Sequence, residues 1–138
     1  MKDLQAPESV ELDLIMDKPE VLQVFMDFHQ LYSVIKNLCL NAIQALREGG
    51  KLSVHAFPSN DDRTINIRIS DNGPGILESS RNKIFNLFYS TKITGTGLGL
   101  SISKSIIEAH DGTLGLEETS ERGTSFILQL PSSIKTKK

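Results

Sequence analysis

Between Leu31 and Leu46 apolar residues recur at helical spacing, with Leu31, Ile35, Leu38, Ala42 and Leu46 forming one stripe. A helix apolar on one side only must lie on a second layer, and the segments around it identify that layer as a sheet. Gly49 and Gly50 end the helix. "KLSVHAFP" and "RTINIRIS" then read as two strands joined by the turn "SNDD", the second alternating at Ile65, Ile67 and Ile69. Upstream, "VELDLIM" (Val10 to Met16) and "VLQVFM" (Val21 to Met26) read as a hairpin around "DKPE", the second being also compatible with a helix start. Downstream come the turn-rich "DNGPG", a short polar helix near Glu78 to Ile84, a glycine-rich loop, a helix from about Leu98 to Ala109, and the strands "GTLGLEE" and "GTSFILQL". Few helices, with strands in neighbouring pairs, predict an α+β fold with a helical layer on one face of a mostly antiparallel sheet.

Size and charge narrow the classes of function. At 138 residues and 38% hydrophobic content, without a run of about 18 apolar residues, the sequence predicts one soluble globular domain, placed at residues 10–131. Residues 1–9 read as a flexible lead and 132–138 as a basic, disordered tail. The balance of 15 Lys+Arg against 17 Asp+Glu has no basic stripe apart from the terminal "KTKK", which argues against nucleic acid as a partner. The single cysteine, Cys39, excludes an internal disulfide and reads as a small buried apolar residue. "MKDLQAPESV" has no hydrophobic run and is not a secretion signal, so a cytoplasmic setting is expected.

Three short stretches carry candidate chemistry. In "STKITGTGLGLSISK", Gly95, Gly97 and Gly99 let main-chain amides turn toward a bound group at a helix N-terminus, an arrangement suited to phosphate, although such a loop also serves as a plain hinge. It lacks both the Walker ending and the G-x-G-x-x-G register. Asn37 and Asn41, four apart, share a helix face bordering the apolar stripe. Their amide oxygens could hold Mg²⁺ with water and phosphate completing the octahedron, or simply bond neighbouring backbone. "DNGPG" follows a strand and places Asp71 where an ionised carboxylate could accept the amino group of adenine; equally, it could be a capped turn.

Taken in order, "NLCLNAIQAL", "DNGPG", "IFNLFYSTK", "GTGLGLSISKSIIEAHDG" and "GTSFILQLP" resemble the N, G1, F and G2 boxes and the closing glycine-threonine strand of the ATP-binding catalytic domain of sensor histidine kinases. The resemblance spans roughly Val10 to Pro131. It implies the Bergerat fold of gyrase B, Hsp90 and the mismatch-repair ATPases: a two-layer α/β sandwich with about three helices on one face of a mixed, mostly antiparallel five-stranded sheet. It implies Mg²⁺ and phosphates at Asn41, with Asn37 secondary, and adenine at Asp71, walled by Gly73, Gly75 and Ile76 with Thr124 as a water-bridged helper. Gly95, Thr96, Gly97, Leu98, Gly99 and Leu100 become the lid hinge and helix cap, with Thr91 and Lys92 reaching the phosphates. Phe85 and Phe88 become the F box that anchors the lid. Two departures matter. Only "STKIT" separates the F box from G2, a short lid similar to the nitrogen-regulation class, and Gln44 and Ala45 stand where many relatives place a basic residue and a tyrosine.

The resemblance also implies a mechanism. The superfamily's ATPases carry a water-activating glutamate where this chain has Asn37, so hydrolysis should be slow and ATP should await a better nucleophile. In sensor kinases that nucleophile is a histidine on a separate dimerisation domain, from which a response regulator takes the phosphoryl group. His29 lacks the acceptor motif, His55 lies in a strand and His110 sits at a helix end, so the chain is expected to be a monomeric fragment that does not autophosphorylate alone. Its parent is expected to be a homodimer, with or without a membrane anchor. An anti-sigma-factor-type serine kinase and a non-catalytic nucleotide-binding module are the rival expectations.

Overall fold

The alternation at Ile65, Ile67 and Ile69 buries all three, and the strand that carries them is the centre of the molecule. The computed structural model describes residues 9–86 and 99–133. Its elements are β1 (Val10–Met16), a 3₁₀ turn at Pro19–Val21, α1 (Phe28–Ala45), β2 (Gly50–Pro58), β3 (Thr64–Asp71), a 3₁₀ turn at Glu78–Ser80, α2 (Gly99–Ala109), β4 (Thr113–Ser120) and β5 (Gly123–Pro131). The five strands form one sheet in the order β1-β2-β3-β5-β4, in which only β1 and β2 run parallel. Inward residues of three adjacent strands, Leu52 and Val54, Ile65, Ile67 and Ile69, and Phe126, Leu128 and Leu130, face the helices and make the core with Val34, Leu38, Cys39, Ala42 and Ile107.

The helical layer contains two α-helices among the described residues, which corrects the expected count of three. The anticipated helix near Glu78 to Ile84 is a 3₁₀ turn at Glu78–Ser80 followed by further turns to Phe85. Ser79, Ser80 and Asn82 are residue types that favour caps and turns over helix interiors, and Leu77 offers no side-chain cap. Helix α1 begins three residues before the predicted stripe because the Asp27 carboxylate accepts the Gln30 N–H at 3.0 Å, a capping interaction. Since α1 touches both the sheet and α2, its buried face is wider than the stripe: Val34 and Cys39 are fully enclosed, whereas Leu31 and Ile35 sit at the margin. Burial pushes the Cys39 thiol up to about 11, as expected of an inert core cysteine. At the end of α2 the ring of His110 donates from Nδ1 to the Ile106 carbonyl at 2.7 Å.

The N-terminal hairpin is not formed. β1 pairs in parallel with β2, Val10 opposite Gly50 through Met16 opposite Ala56, and the Asp17 N–H continues the ladder to the Ala56 carbonyl at 2.9 Å. Pro19 has no N–H to give an antiparallel partner and instead starts the 3₁₀ turn. The "VLQVFM" stretch crosses the sheet end, keeping only a bridge from Val24 to Ser132 and leaving Phe25 94% exposed. No helix among the described residues is long and apolar enough to cross a membrane.

Two substitutions check this packing. Leu128→Ala, at a fully buried position, should cost about 2–5 kcal/mol in chemical denaturation, whereas Leu14→Ala, 56% exposed on the edge strand, should stay within about 0.5 kcal/mol. Gly123→Ala should cost roughly 1–3 kcal/mol in the same measurement, because at φ 143° an added Cβ would come within 2.0 Å of the Asp71 carbonyl oxygen.

Candidate functional site

The register that buries the isoleucines of β3 carries its last residue, Asp71, to the helix-facing side at one end of the sheet, opposite Thr124 of β5. There the chain turns sharply, and its own amides fold back: the Asp71 carboxylate accepts the Gly73 N–H at 2.9 Å and the Thr124 main-chain N–H. Burial raises the Asp71 carboxyl above its ordinary value of 3.8, and these two amides oppose the rise. The result is a half-buried carboxylate with fixed orientation, a suitable acceptor for an N–H donor entering from the helix side.

The loop that follows is wedged against the β4–β5 hairpin. Gly75 has φ 83°, and a Cβ there would lie 2.0 Å from the Ser120 carbonyl oxygen, so the position admits only glycine at this spacing. The Ile76 N–H donates to Thr119 Oγ1 at 2.9 Å, and Thr119 Oγ1 is 2.9 Å from Thr124 Oγ1. Asn72 anchors the loop to β2, its Oδ1 accepting the Lys51 N–H at 2.7 Å. Ile76 packs on the margin of the core.

The end of α1 reaches the same place. A Cβ on Gly73 would stand 3.4 Å from the Ala45 carbonyl oxygen, so the Asp71 loop abuts the last turn of that helix. Asn37, Asn41 and Ala45 lie at successive four-residue steps, a row along α1 that ends at this loop. Both asparagines are half-buried, and Gln44 and Ala45 are exposed. Among the described residues no cluster of three or more His, Cys, Asp or Glu could cage a metal. The oxygen donors at hand are amides, which suit a Mg²⁺ that keeps most of its shell for water and phosphate.

Gly99 opens α2, and Leu100 packs against the core. Phe85 meets Phe126 edge-to-face at 6.1 Å and has Lys104 over its ring at 4.8 Å. Phe88, Thr91, Lys92, Gly95, Thr96, Gly97 and Leu98 lie outside the described residues. Thr119 and Asn72 escaped the sequence reading. The first was legible: with Glu121-Arg122 as a two-residue hairpin turn, Ser120 faces Gly123 and Thr119 faces Thr124.

The sequence model described as "Histidine kinase-, DNA gyrase B-, and HSP90-like ATPase" matches residues 26–134. The sensor histidine kinase ZraS of Salmonella typhimurium is 38% identical over 128 residues, 92% of this chain and 27% of that protein. Sporulation kinase B of Bacillus subtilis is 35% identical over 117 residues, 85% of this chain and 27% of its own length. The chain thus spans about a quarter of these curated relatives. Among solved structures, the catalytic domain of histidine kinase ThkA superposes with a TM-score of 0.78 at 34% identity, covering 90% of this chain and 80% of that one. The chain belongs to the histidine kinase-, DNA gyrase B- and HSP90-like ATPase family and is a catalytic domain of the histidine-kinase type.

Proposed function

We propose that the chain binds Mg·ATP at the end of the sheet between Asp71 and α1. It then transfers the γ-phosphoryl group to a histidine on a separate dimerisation domain, from which a response regulator takes it. The observation that carries this reading is the Asp71 carboxylate, buried enough to raise its pKa yet aimed by the Gly73 and Thr124 amides. A carboxylate so held accepts the exocyclic amino group of adenine, while Gly73 and Gly75 let the base approach the backbone.

Phosphoryl transfer asks for positioning and charge neutralisation more than covalent help. Asn41, with Asn37 a turn earlier, would hold Mg²⁺, which when bound neutralises charge on the phosphates. Lys92 would meet the terminal phosphates, and the amides of Gly95 to Gly99 would cradle them. Asn37 bears no base to activate water, so the bound nucleotide is kept for a protein nucleophile. ZraS and sporulation kinase B are kinases by name, which supports this acceptor chemistry over simple hydrolysis. The whole protein is read as homodimeric and cytoplasmic at this domain.

Asp71→Asn should weaken ATP binding by about 1–3 kcal/mol in calorimetry; unchanged affinity would refute the adenine assignment. Acidification tests the same group. Because its folded pKa is raised, the empty protein gains stability from Asp71 as pH falls through that value, whereas adenine needs the ionised form. ATP affinity should therefore decline at a pH above the ordinary 3.8, and Asp71→Asn should lose that dependence. With a separately made dimerisation domain and Mg·ATP, the chain should yield an acid-labile, base-stable phosphohistidine, and Asn41→Ala should abolish it with circular dichroism unchanged. Phosphoserine in that assay would point to a different acceptor class.

A further inference from the structure

Thr119 and Thr124 form a hydroxyl pair whose proton direction is set by a main-chain amide. Thr119 Oγ1 accepts the Ile76 N–H at 2.9 Å and lies 2.9 Å from Thr124 Oγ1. Among the described residues these are the hydrogen-bond partners of its hydroxyl. If Thr124 donated to Thr119, the Thr119 proton would have no acceptor there. If Thr119 donates to Thr124, every group on Thr119 is satisfied, and the incoming amide polarises its O–H in the favourable sense. The second arrangement leaves the proton of Thr124, only 6% exposed, as the group not yet used. Thr124 stands opposite Asp71 on the helix-facing side, so the sheet end presents an acceptor and a donor side by side.

We infer that Thr119 is a positioning residue for base selection: it relays the polarity of the Ile76 amide to Thr124, so that Thr124 meets the base, directly or through one water, as a hydrogen-bond donor. This rests on the adenine reading of Asp71. Adenine presents an amino donor beside the ring acceptor N1, matching Asp71 and Thr124; guanine presents a carbonyl acceptor beside an N–H donor, the reverse pattern. The relay therefore favours adenine by aligning one proton, while Thr119 itself touches no nucleotide.

Calorimetry of the whole chain with Mg²⁺ and either ATP, GTP or the ATP analogue whose ring N1 is replaced by C–H tests this. The unaltered chain should prefer ATP over the analogue by about tenfold. Thr119→Val should erase most of that preference and narrow the ATP-over-GTP ratio, Thr119→Ser should restore both, and Thr119→Val added to Thr124→Val should lose nothing beyond Thr124→Val alone. A merely structural role would lower all affinities together and leave the ratios unmoved, which would overturn the proposal. If valine is not accommodated, Thr119→Ala serves the same comparison. Equal affinity of the unaltered chain for ATP and the analogue overturns it without any variant. Failure of Asp71→Asn to weaken ATP would instead remove the adenine reading itself. Loss at Asp71→Asn with intact ratios in Thr119→Val would leave that reading standing and sink only the relay.

Discussion

The pairing of β3 with β5 is the constraint on which the rest of the structure depends. Ile65, Ile67 and Ile69 stand opposite Leu130, Leu128 and Phe126, and this row is the floor on which both helices rest. Because strand side chains alternate with period two, a one-residue slip would turn every one of these residues to the opposite face. The same register carries Asp71 and Thr124 to the helix side, so the core's hydrophobic pattern and the site's geometry are one specification. Gly123 locks it, since any side chain there would strike the Asp71 carbonyl oxygen.

The other face of the sheet is built differently. Arg68 grips Glu117 through two bonds, at 2.6 and 3.0 Å, and lies over the Phe57 ring, while His55 Nε2 meets the Asp17 carboxylate at 2.7 Å. Gln129 donates to Asn66, the Lys51 ammonium meets Asp13, and Ser70 pairs with Ser125. The solvent-accessible ion pairs among these contribute little stability each. Their effect is to keep this face polar and wet, so the apolar helices have only one surface to cover and the fold stays at two layers.

Legibility from the sequence follows the range of the interactions concerned. The helix α1 and the β2–β3 and β4–β5 pairs were readable because each depends on neighbours within a few residues. Asp27 and Gln30, three apart, are a capping signature that would have placed the start of α1 correctly. The short helix near Glu78 failed because composition alone does not say where a chain finds caps. The N-terminal hairpin failed for a deeper reason. "VLQVFM" has strand composition, yet β1's true partner is β2, some forty residues on, and a parallel pairing leaves no turn in the sequence to announce it.

By itself the sequence determined which face of β3 would be buried, which short segments carry a carboxylate, an amide pair or a glycine-rich loop, and the family to which that order of motifs is similar. These are local properties, set by side-chain chemistry and by periods of two and 3.6 residues. Tertiary structure alone decided that β1 lies parallel at the edge, that α1 and α2 are the helices of the cover among the described residues, and that Thr119, five residues from Thr124, is hydrogen-bonded to a loop forty-three residues away. Such contacts arise only when strands distant along the chain are brought into register, and in this protein the core sets that register.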